Sequence, residues 1–421
     1  MGQSQSDTRR QRGHEIGLPI SDGASHQITN LPMPAFPHFQ YQPLESSHHI
    51  RLVTLEQGPD ISAPIRCSIA HHKLGSVRYE ALSYEWGLPA TSDPEISIDG
   101  HPLRVRRNLR DALLYIRAQD RDRYLWVDAL CIDQENGRER NHQVSIMGRI
   151  FNQAYQVVVW LGLATNSSER AMHIIERLYH GSSDFDQLRP DILHDIHALC
   201  SRSYWQRLWI IQEIYLAKEL QIYCGYDNVR GKAFEAFCLA CSNYQLFEHA
   251  DLVSQIRQSI ALDAHMAKRV NRLRDYKSVS MQGHIDFQAW LQVAVERDFL
   301  CSEPRDIIYA LLGLSPSMEE INILPDYEKP IAEVLVDALV VCESTPMELR
   351  QEIRGHISGH GFAHTLAHRM GILSGNSDLV LELYKTARNR ARDLHSAPRG
   401  YRGHSELGAY DSHIEPEYSL W

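Results

Sequence analysis

The densest grouping of chemically capable side chains is the segment Tyr204-Trp205-Gln206-Arg207-Leu208-Trp209-Ile210-Ile211-Gln212-Glu213. On a helix Trp205, Trp209 and Glu213 are spaced by four and share one face. A carboxylate beside two indoles is partly desolvated, which raises its pKa and suits general acid/base or electrostatic work. The competing reading is structural, with Glu213 paired to Arg207 or Arg202. A second grouping gathers where strands are expected to end. Ser83-Tyr84-Glu85-Trp86-Gly87 closes one strand, Asp128 sits in another that runs out into Asp133-Gln134-Glu135, and Trp160-Leu161-Gly162 closes a third. Loops and helix N-termini converge beyond such ends, so these residues suit a polar small ligand with a stackable ring. The alternative is that Asp133 caps the next turn and Trp86 covers the core.

Other patterns carry less. Cys238 and Cys241 form a CxxC, but no second pair stands at zinc-ribbon spacing and no strand precedes it, so buried core thiols are expected. His356, His360, His364 and His368 recur every four residues, yet Gly355, Gly359 and Gly361 weaken the helix that would align them and no carboxylate joins the row. No bound metal is expected. His142 and Cys131 lack a third orienting group for a nucleophile pair. No Walker loop or GxGxxG occurs, so ATP or Rossmann-type dinucleotide binding has no support.

Alternating strand and helix signals must position these groups. His49 to Glu56 reads as a first strand, Tyr79 to Tyr84 as a short β-prone run, and Glu95 to Val105 as a hairpin turned at Asp99-Gly100. Asn108 reads as an N-cap ahead of Leu109, Ala112, Leu113 and Ile116 at helical spacing. Tyr124 to Ile132 is a near-continuous apolar run interrupted by Asp128, as in a central strand covered on both faces. After Asn136-Gly137, the residues Val144, Met147, Phe151 and Ala154 mark a second helix, and Gln156 to Leu161 a buried strand. Helices are expected over Glu169 to Tyr179 and Pro190 to Ala217, then a strand over Leu220 to Cys224. This alternation predicts an α/β fold, a parallel sheet flanked by helices, with a mainly helical C-terminal extension. The expected organisation is a flexible leader over 1–45, an α/β core with a helical insertion over 46–230, a helical extension over 231–345 and a partly disordered tail over 346–421.

Composition bounds the functional classes. A chain of 421 residues with 43% hydrophobic content buries a sizeable core, and a formal charge of −10 argues against a broad nucleic-acid footprint. The eight cysteines are scattered through apolar segments, which fits a reduced, cytoplasmic setting. No apolar run approaches the length of a bilayer span. Met1-Gly2-Gln3-Ser4-Gln5-Ser6 fits the myristoylation pattern, so Gly2 is the one candidate for lipidation, and a peripheral membrane location is expected only if it is acylated.

Three ordered blocks carry a family resemblance. They are Tyr79-Glu80-Ala81-Leu82-Ser83-Tyr84-Glu85-Trp86-Gly87, then Leu125-Trp126-Val127-Asp128-Ala129-Leu130-Cys131-Ile132-Asp133-Gln134, then Glu139-Arg140 through Gln143-Val144, Met147 and Ala154 to Val159-Trp160-Leu161-Gly162. With Trp205 to Glu213, Cys224-Gly225, Glu303-Pro304-Arg305-Asp306 through Leu314, and Pro325-Asp326-Tyr327, they resemble the fungal heterokaryon-incompatibility (HET) domain family over about residues 40 to 345. Phe151 stands where the family usually shows tyrosine, and the last 75 or so residues match nothing in it. The resemblance implies a protein of non-self recognition and regulated cell death in a filamentous fungus, a form of innate immunity. It also implies a distant TIR-like relationship, and many TIR domains cleave NAD. By that analogy Glu213, four residues after Trp209, is the catalytic residue. Tyr84, Trp86 and Gly87 border the ligand, Asp128, Asp133 and Gln134 shape the site, and NAD is the substrate rather than a required cofactor. The carboxylate would stabilise an oxocarbenium-like ribosyl cation as nicotinamide departs. Glu139, Arg140, Trp160, Gly162, Trp205, Arg305 and Asp306 are expected to be structural members of the motif. The alternative is a non-enzymatic module that self-associates or binds an incompatibility partner to relay a death signal. A Glu213 in an open cleft near Trp86 and Asp133 favours the enzyme. One sealed by an arginine away from the strand ends favours the module.

Overall fold

The hydrophobic runs of the sequence assemble into one mixed sheet with helices packed around it. The structure is a computed structural model and describes residues 39–181, 189–243, 287–296, 299–314, 323–344, 359–372 and 377–396. Gly2, most of the expected leader, His356 and the chain beyond residue 396 lie outside the described residues.

Strands β1 (His49–Leu55), β2 (Arg66–Lys73), β3 (Glu80–Tyr84), β4 (Glu95–Ile98), β5 (His101–Arg104), β6 (Arg123–Trp126), β7 (Gln156–Trp160), β8 (Leu220–Cys224) and β9 (Asp227–Arg230) form a nine-stranded sheet. Its order is β5-β4-β2-β1-β6-β3-β7-β8-β9. The four strands β6, β3, β7 and β8 run parallel, as the alternation of strand and helix predicts. The sheet as a whole is mixed, which corrects the expectation of a parallel one. β1 is antiparallel to both β2 and β6. The link from β1 to β2 contains no helix, and a parallel pairing needs a crossover connection of about a dozen residues or more. At the edges β4–β5 and β8–β9 are antiparallel hairpins. The first turns at Asp99 (φ 51°) and Gly100 (φ 79°), the two left-handed positions a two-residue hairpin loop requires.

Helix α1 (Arg107–Ile116) follows β5 and buries Leu109, Ala112, Leu113 and Ile116. Its N-cap is Arg106, not Asn108. Asn108 instead donates to Glu85 O (2.6 Å) and accepts from the Trp160 indole (2.9 Å), tying α1 to the ends of β3 and β7. The run Tyr124 to Ile132 is also not one strand. It leaves the sheet after Trp126 and turns into α2 (Asp128–Cys131), because Asp128 accepts a hydrogen bond from the Ala129 N–H (2.7 Å) and Val127 O accepts from Leu130 and Cys131. Helix α3 (Gly137–Gln153) is capped by the Asn136 side chain, which accepts from Glu139 N (3.2 Å).

Helices α4 (Asn166–Tyr179), α5 (Pro190–Cys200) and α7 (Gly231–Asn243) pack as one group, while α6 (Ile210–Tyr215) packs with α3. The single helix expected over 190–217 is broken into α5, a 3-10 turn at Ser203–Gln206, and α6. The break is made by Leu300, whose N–H donates to Gln206 O (2.6 Å) and whose carbonyl accepts from Leu208 N (3.0 Å). Helices α8 (Phe287–Glu296), α9 (Asp306–Leu312), α10 (Ile331–Ser344), α11 (Gly359–Arg369) and α12 (Ser377–Ser396) complete the helical layer. α12, within the stretch 346–421, lies along α10. None of the described helices is long and apolar enough to cross a membrane.

Candidate functional site

β3 places Ser83 and Tyr84 at the carboxyl end of the parallel core, and the short α6 brings Glu213 against them. Glu213 is only 3% exposed. Both of its carboxylate oxygens are bound by Arg207, Nη1 to Oε2 and Nη2 to Oε1, each at 3.2 Å. Ser83 Oγ adds a short hydrogen bond to Oε2 and meets the Tyr204 hydroxyl at 2.6 Å. Burial, the largest single influence, works against the Arg207 charge, but Glu213, Tyr204 and Asp128 together raise the guanidinium pKa. A bidentate pair of this kind holds geometry firmly, and with the Ser83 bond it engages three of the carboxylate's about four acceptor sites.

Asp128 lies beside this network. Burial, with the charge of Glu213 next, pushes its pKa up to about 6, against a 2.7 Å hydrogen bond from the Trp86 indole N–H that favours the ionised form. The Trp86 indole borders a cleft of about 310 Å³ lined also by Tyr41, Asp93, Arg104, Arg106 and Gln134. Arg106 donates to Gly87 O, where Gly87 takes a positive φ of 73°, and its guanidinium stands 5.9 Å from the Trp86 ring centre. Gln134 donates to Asp128 O (3.1 Å). Burial raises the Tyr84 hydroxyl well above its ordinary pKa, and it raises the Cys131 thiol to about 12, so Cys131 is a core thiol and no nucleophile. Cys238 is buried as well. Among the described residues no group of three His, Cys, Asp or Glu could hold a metal ion.

The sequence-derived candidates therefore divide. Trp86 and Gln134 line the cleft, and Gly87 and Asp128 support Trp86 and its guanidinium neighbour. Asp133 accepts from Glu135 N (3.2 Å) and donates its own N–H to Glu139 (2.8 Å), which makes it a turn residue rather than part of the cleft lining. Trp205, Trp209 and Glu213 do not share one helical face, because the chain breaks before Trp209. Trp205 stacks on Phe234 at 5.1 Å with its indole donating to Leu199 O (3.1 Å). The Trp209 indole donates to Asp306 (3.0 Å), which also accepts from the Tyr327 hydroxyl (2.8 Å). Burial, opposed by these two bonds, raises the Asp306 pKa to about 6.

The expected structural residues are all engaged. Arg305 donates to Lys329 O (2.7 Å) and Glu303 (2.6 Å), and the Arg140 guanidinium sits 4.4 Å from the Tyr327 ring centre. Gly162, at φ 101°, accepts from Gly225 N (2.9 Å) and links the ends of β7 and β8. Glu139 pairs with Arg51, which is 1% exposed and also donates to Cys131 O (3.0 Å) and Gln42 O (2.7 Å). Sequence reading placed Ser83 and Tyr204 in its two groupings without giving either a role, and it missed Arg51, Arg104 and Arg106 as site residues. Arg51 had a signal, a lone charge inside the apolar run Ile50-Arg51-Leu52-Val53. A buried charge in such a run needs a partner.

Residues 79–213 match the family model described as heterokaryon incompatibility protein (HET). The HET match opens at Tyr79 and closes at Glu213, so it contains Ser83, Trp86, Asp128, Arg207 and the glutamate itself. The chain is also 27% identical over 347 residues to heterokaryon incompatibility protein 6, OR allele, of Neurospora crassa. That similarity covers 67% of this chain and 50% of the relative, so the chain spans about half the length of the curated protein it matches. No solved structure matches. Two supports of the segment matched by this model come from outside it. Arg51 on β1 fixes Glu139, and Asp306 with Tyr327 fixes Trp209.

Proposed function

We propose that this chain is a fungal vegetative-incompatibility protein whose HET segment works as a signalling module, relaying a death signal by associating with itself or with an incompatibility partner. The observation that carries this reading is the state of Glu213. It is bound on both oxygens by Arg207 and buried, as a strut that locks α6 to the end of β3. A catalytic carboxylate must reach the reacting atoms, and this one is occupied.

A second reading is TIR-like cleavage of NAD by Glu213. It draws support from the position of Glu213 at the end of the parallel core, close enough to Asp128 to raise its pKa. It requires Arg207 to swing away when substrate binds. The experiment that separates the two is expression of wild type, Glu213→Gln and Arg207→Gln in a filamentous fungus, with growth and cellular NAD followed together and folding checked by thermal melting. The signalling reading expects growth arrest with NAD unchanged. NAD depletion that disappears in a folded Glu213→Gln protein would overturn it in favour of the enzyme.

A further inference from the structure

The cleft beside Trp86 has a chemical character of its own, separate from the Arg207–Glu213 pair. One wall is an indole whose N–H is already tied to Asp128, so its plane is fixed. Two guanidiniums line the cleft with it, and that of Arg106 stands 5.9 Å from the Trp86 ring centre. Arg104 is 62% exposed and its nearest carboxylate oxygen, on Glu95, stands off at 3.8 Å. Arg106 gives one N–H to Gly87 O and keeps others of its five donors. The cleft's one carboxylate, Asp93, accepts from Ala90 N (3.0 Å). Two guanidiniums line the cleft beside one carboxylate, and a second carboxylate, Glu95, stands 3.8 Å from Arg104. Arg106 is also the N-cap residue of α1, where no side chain caps the first N–H groups, so the positive end of that helix adds to the same field. Leu103, Val105 and Leu109 give the cleft an apolar floor.

We infer that this cleft binds a small planar ring bearing a dianionic group, the chemistry of a nucleoside monophosphate, with the ring on Trp86 and the phosphate on Arg104 and Arg106. The volume of about 310 Å³ stands at the small end of ligand pockets, so a whole dinucleotide overfills it. Gln134, at the rim, offers an amide to the ring edge. The site binds and holds; neither Glu213 nor any thiol is among its lining residues. The inference stands apart from whether the HET segment signals by association.

The test is calorimetric titration of the full chain with adenosine 5′-monophosphate, adenosine, ribose 5-phosphate and inorganic phosphate. Wild type is expected to bind the monophosphate, with adenosine and ribose 5-phosphate each at least about tenfold weaker, since each lacks the stack or the charge-assisted bonds. Arg104→Gln is expected to weaken the monophosphate about tenfold and leave adenosine unchanged. Trp86→Phe, which keeps a ring, is expected to retain most of the affinity that Trp86→Leu loses, and this pair guards against a variant that merely misfolds. Absence of monophosphate binding to folded wild type overturns the inference. So does equal affinity for phosphate alone, or an unchanged affinity in Arg104→Gln. Growth arrest that persists while binding is absent leaves the signalling reading standing and removes only this one.

Discussion

Asp128 is the residue where charge, burial and the indole of the cleft meet, and it gives the protein a pH dependence with a defined sign. Its folded pKa of about 6 lies above the ordinary value of 3.8, so the folded state binds the proton more tightly than the unfolded chain does. Stability linked to this carboxyl is therefore highest below the ordinary value and falls as pH rises to about 6, after which it is constant. Asp128→Asn lacks that slope. The variant is thus expected to be more costly, relative to wild type, at about pH 4.5 than at about pH 7.5, as read from urea unfolding at the two pH values. A cost that grows with pH would mean that the ionised carboxylate, through its bond to Trp86, outweighs burial. Residue types and spacing in the sequence pointed to Trp86, Asp128 and Gln134 as neighbours, and the structure brings them together. They did not point to Arg104 and Arg106, because an arginine ending a hairpin strand and another just before a helix look the same whether they face water or a cleft.

At the scale of elements, the cap expected at Asn108 falls on Arg106, but the parallel core and the Asp99-Gly100 turn were legible, since each depends on local periodicity or on a residue with a special backbone role. The breaks were not. Nothing local in Tyr204 to Tyr215 announces that Leu300, far along the chain, will take the backbone groups of Gln206 and Leu208 and so split the helix. That split decides the site, because it sends Trp205, Trp209 and Glu213 to three different sets of partners. A second long-range contact is equally silent in sequence. Helix α3 passes the end of α9 so closely that a Cβ on Gly148 would stand 2.7 Å from the Gly313 Cα. The opposing atom is backbone, which cannot step aside as a flexible side chain could. Alanine gains about 1 kcal/mol of helix propensity over glycine, but overpacking of this kind costs about 1–3 kcal/mol, and the clash is expected to win. Gly148→Ala should therefore lower the melting temperature, with Gly148→Ser lowering it further. A raised melting temperature for Gly148→Ala would show that α3 and α9 separate easily.

For the whole molecule, the question is whether the segment that matches the HET model is a unit that folds by itself. Its boundaries at 79 and 213 cut through the sheet. β1, which lies between β2 and β6, and β8, which covers the far side of β7, both fall outside them. Without these strands β6 and β7 become bare edges, and unpaired edges of an apolar sheet invite aggregation. The loss extends to side chains: Glu139 loses Arg51, itself a buried residue, and Trp209 loses Asp306. Removing one member of a buried ion pair alone costs about 3–5 kcal/mol, a large part of the about 5–15 kcal/mol by which a domain is stable. The excised segment 79–213 is accordingly expected to show no cooperative thermal transition and little amide protection in hydrogen exchange, while residues 39–396 melt as a single unit. A sharp transition in the isolated segment would mean that the parallel strands β6, β3 and β7 hold their own core, and that β1 and the helices after residue 287 are additions to a module rather than parts of its fold.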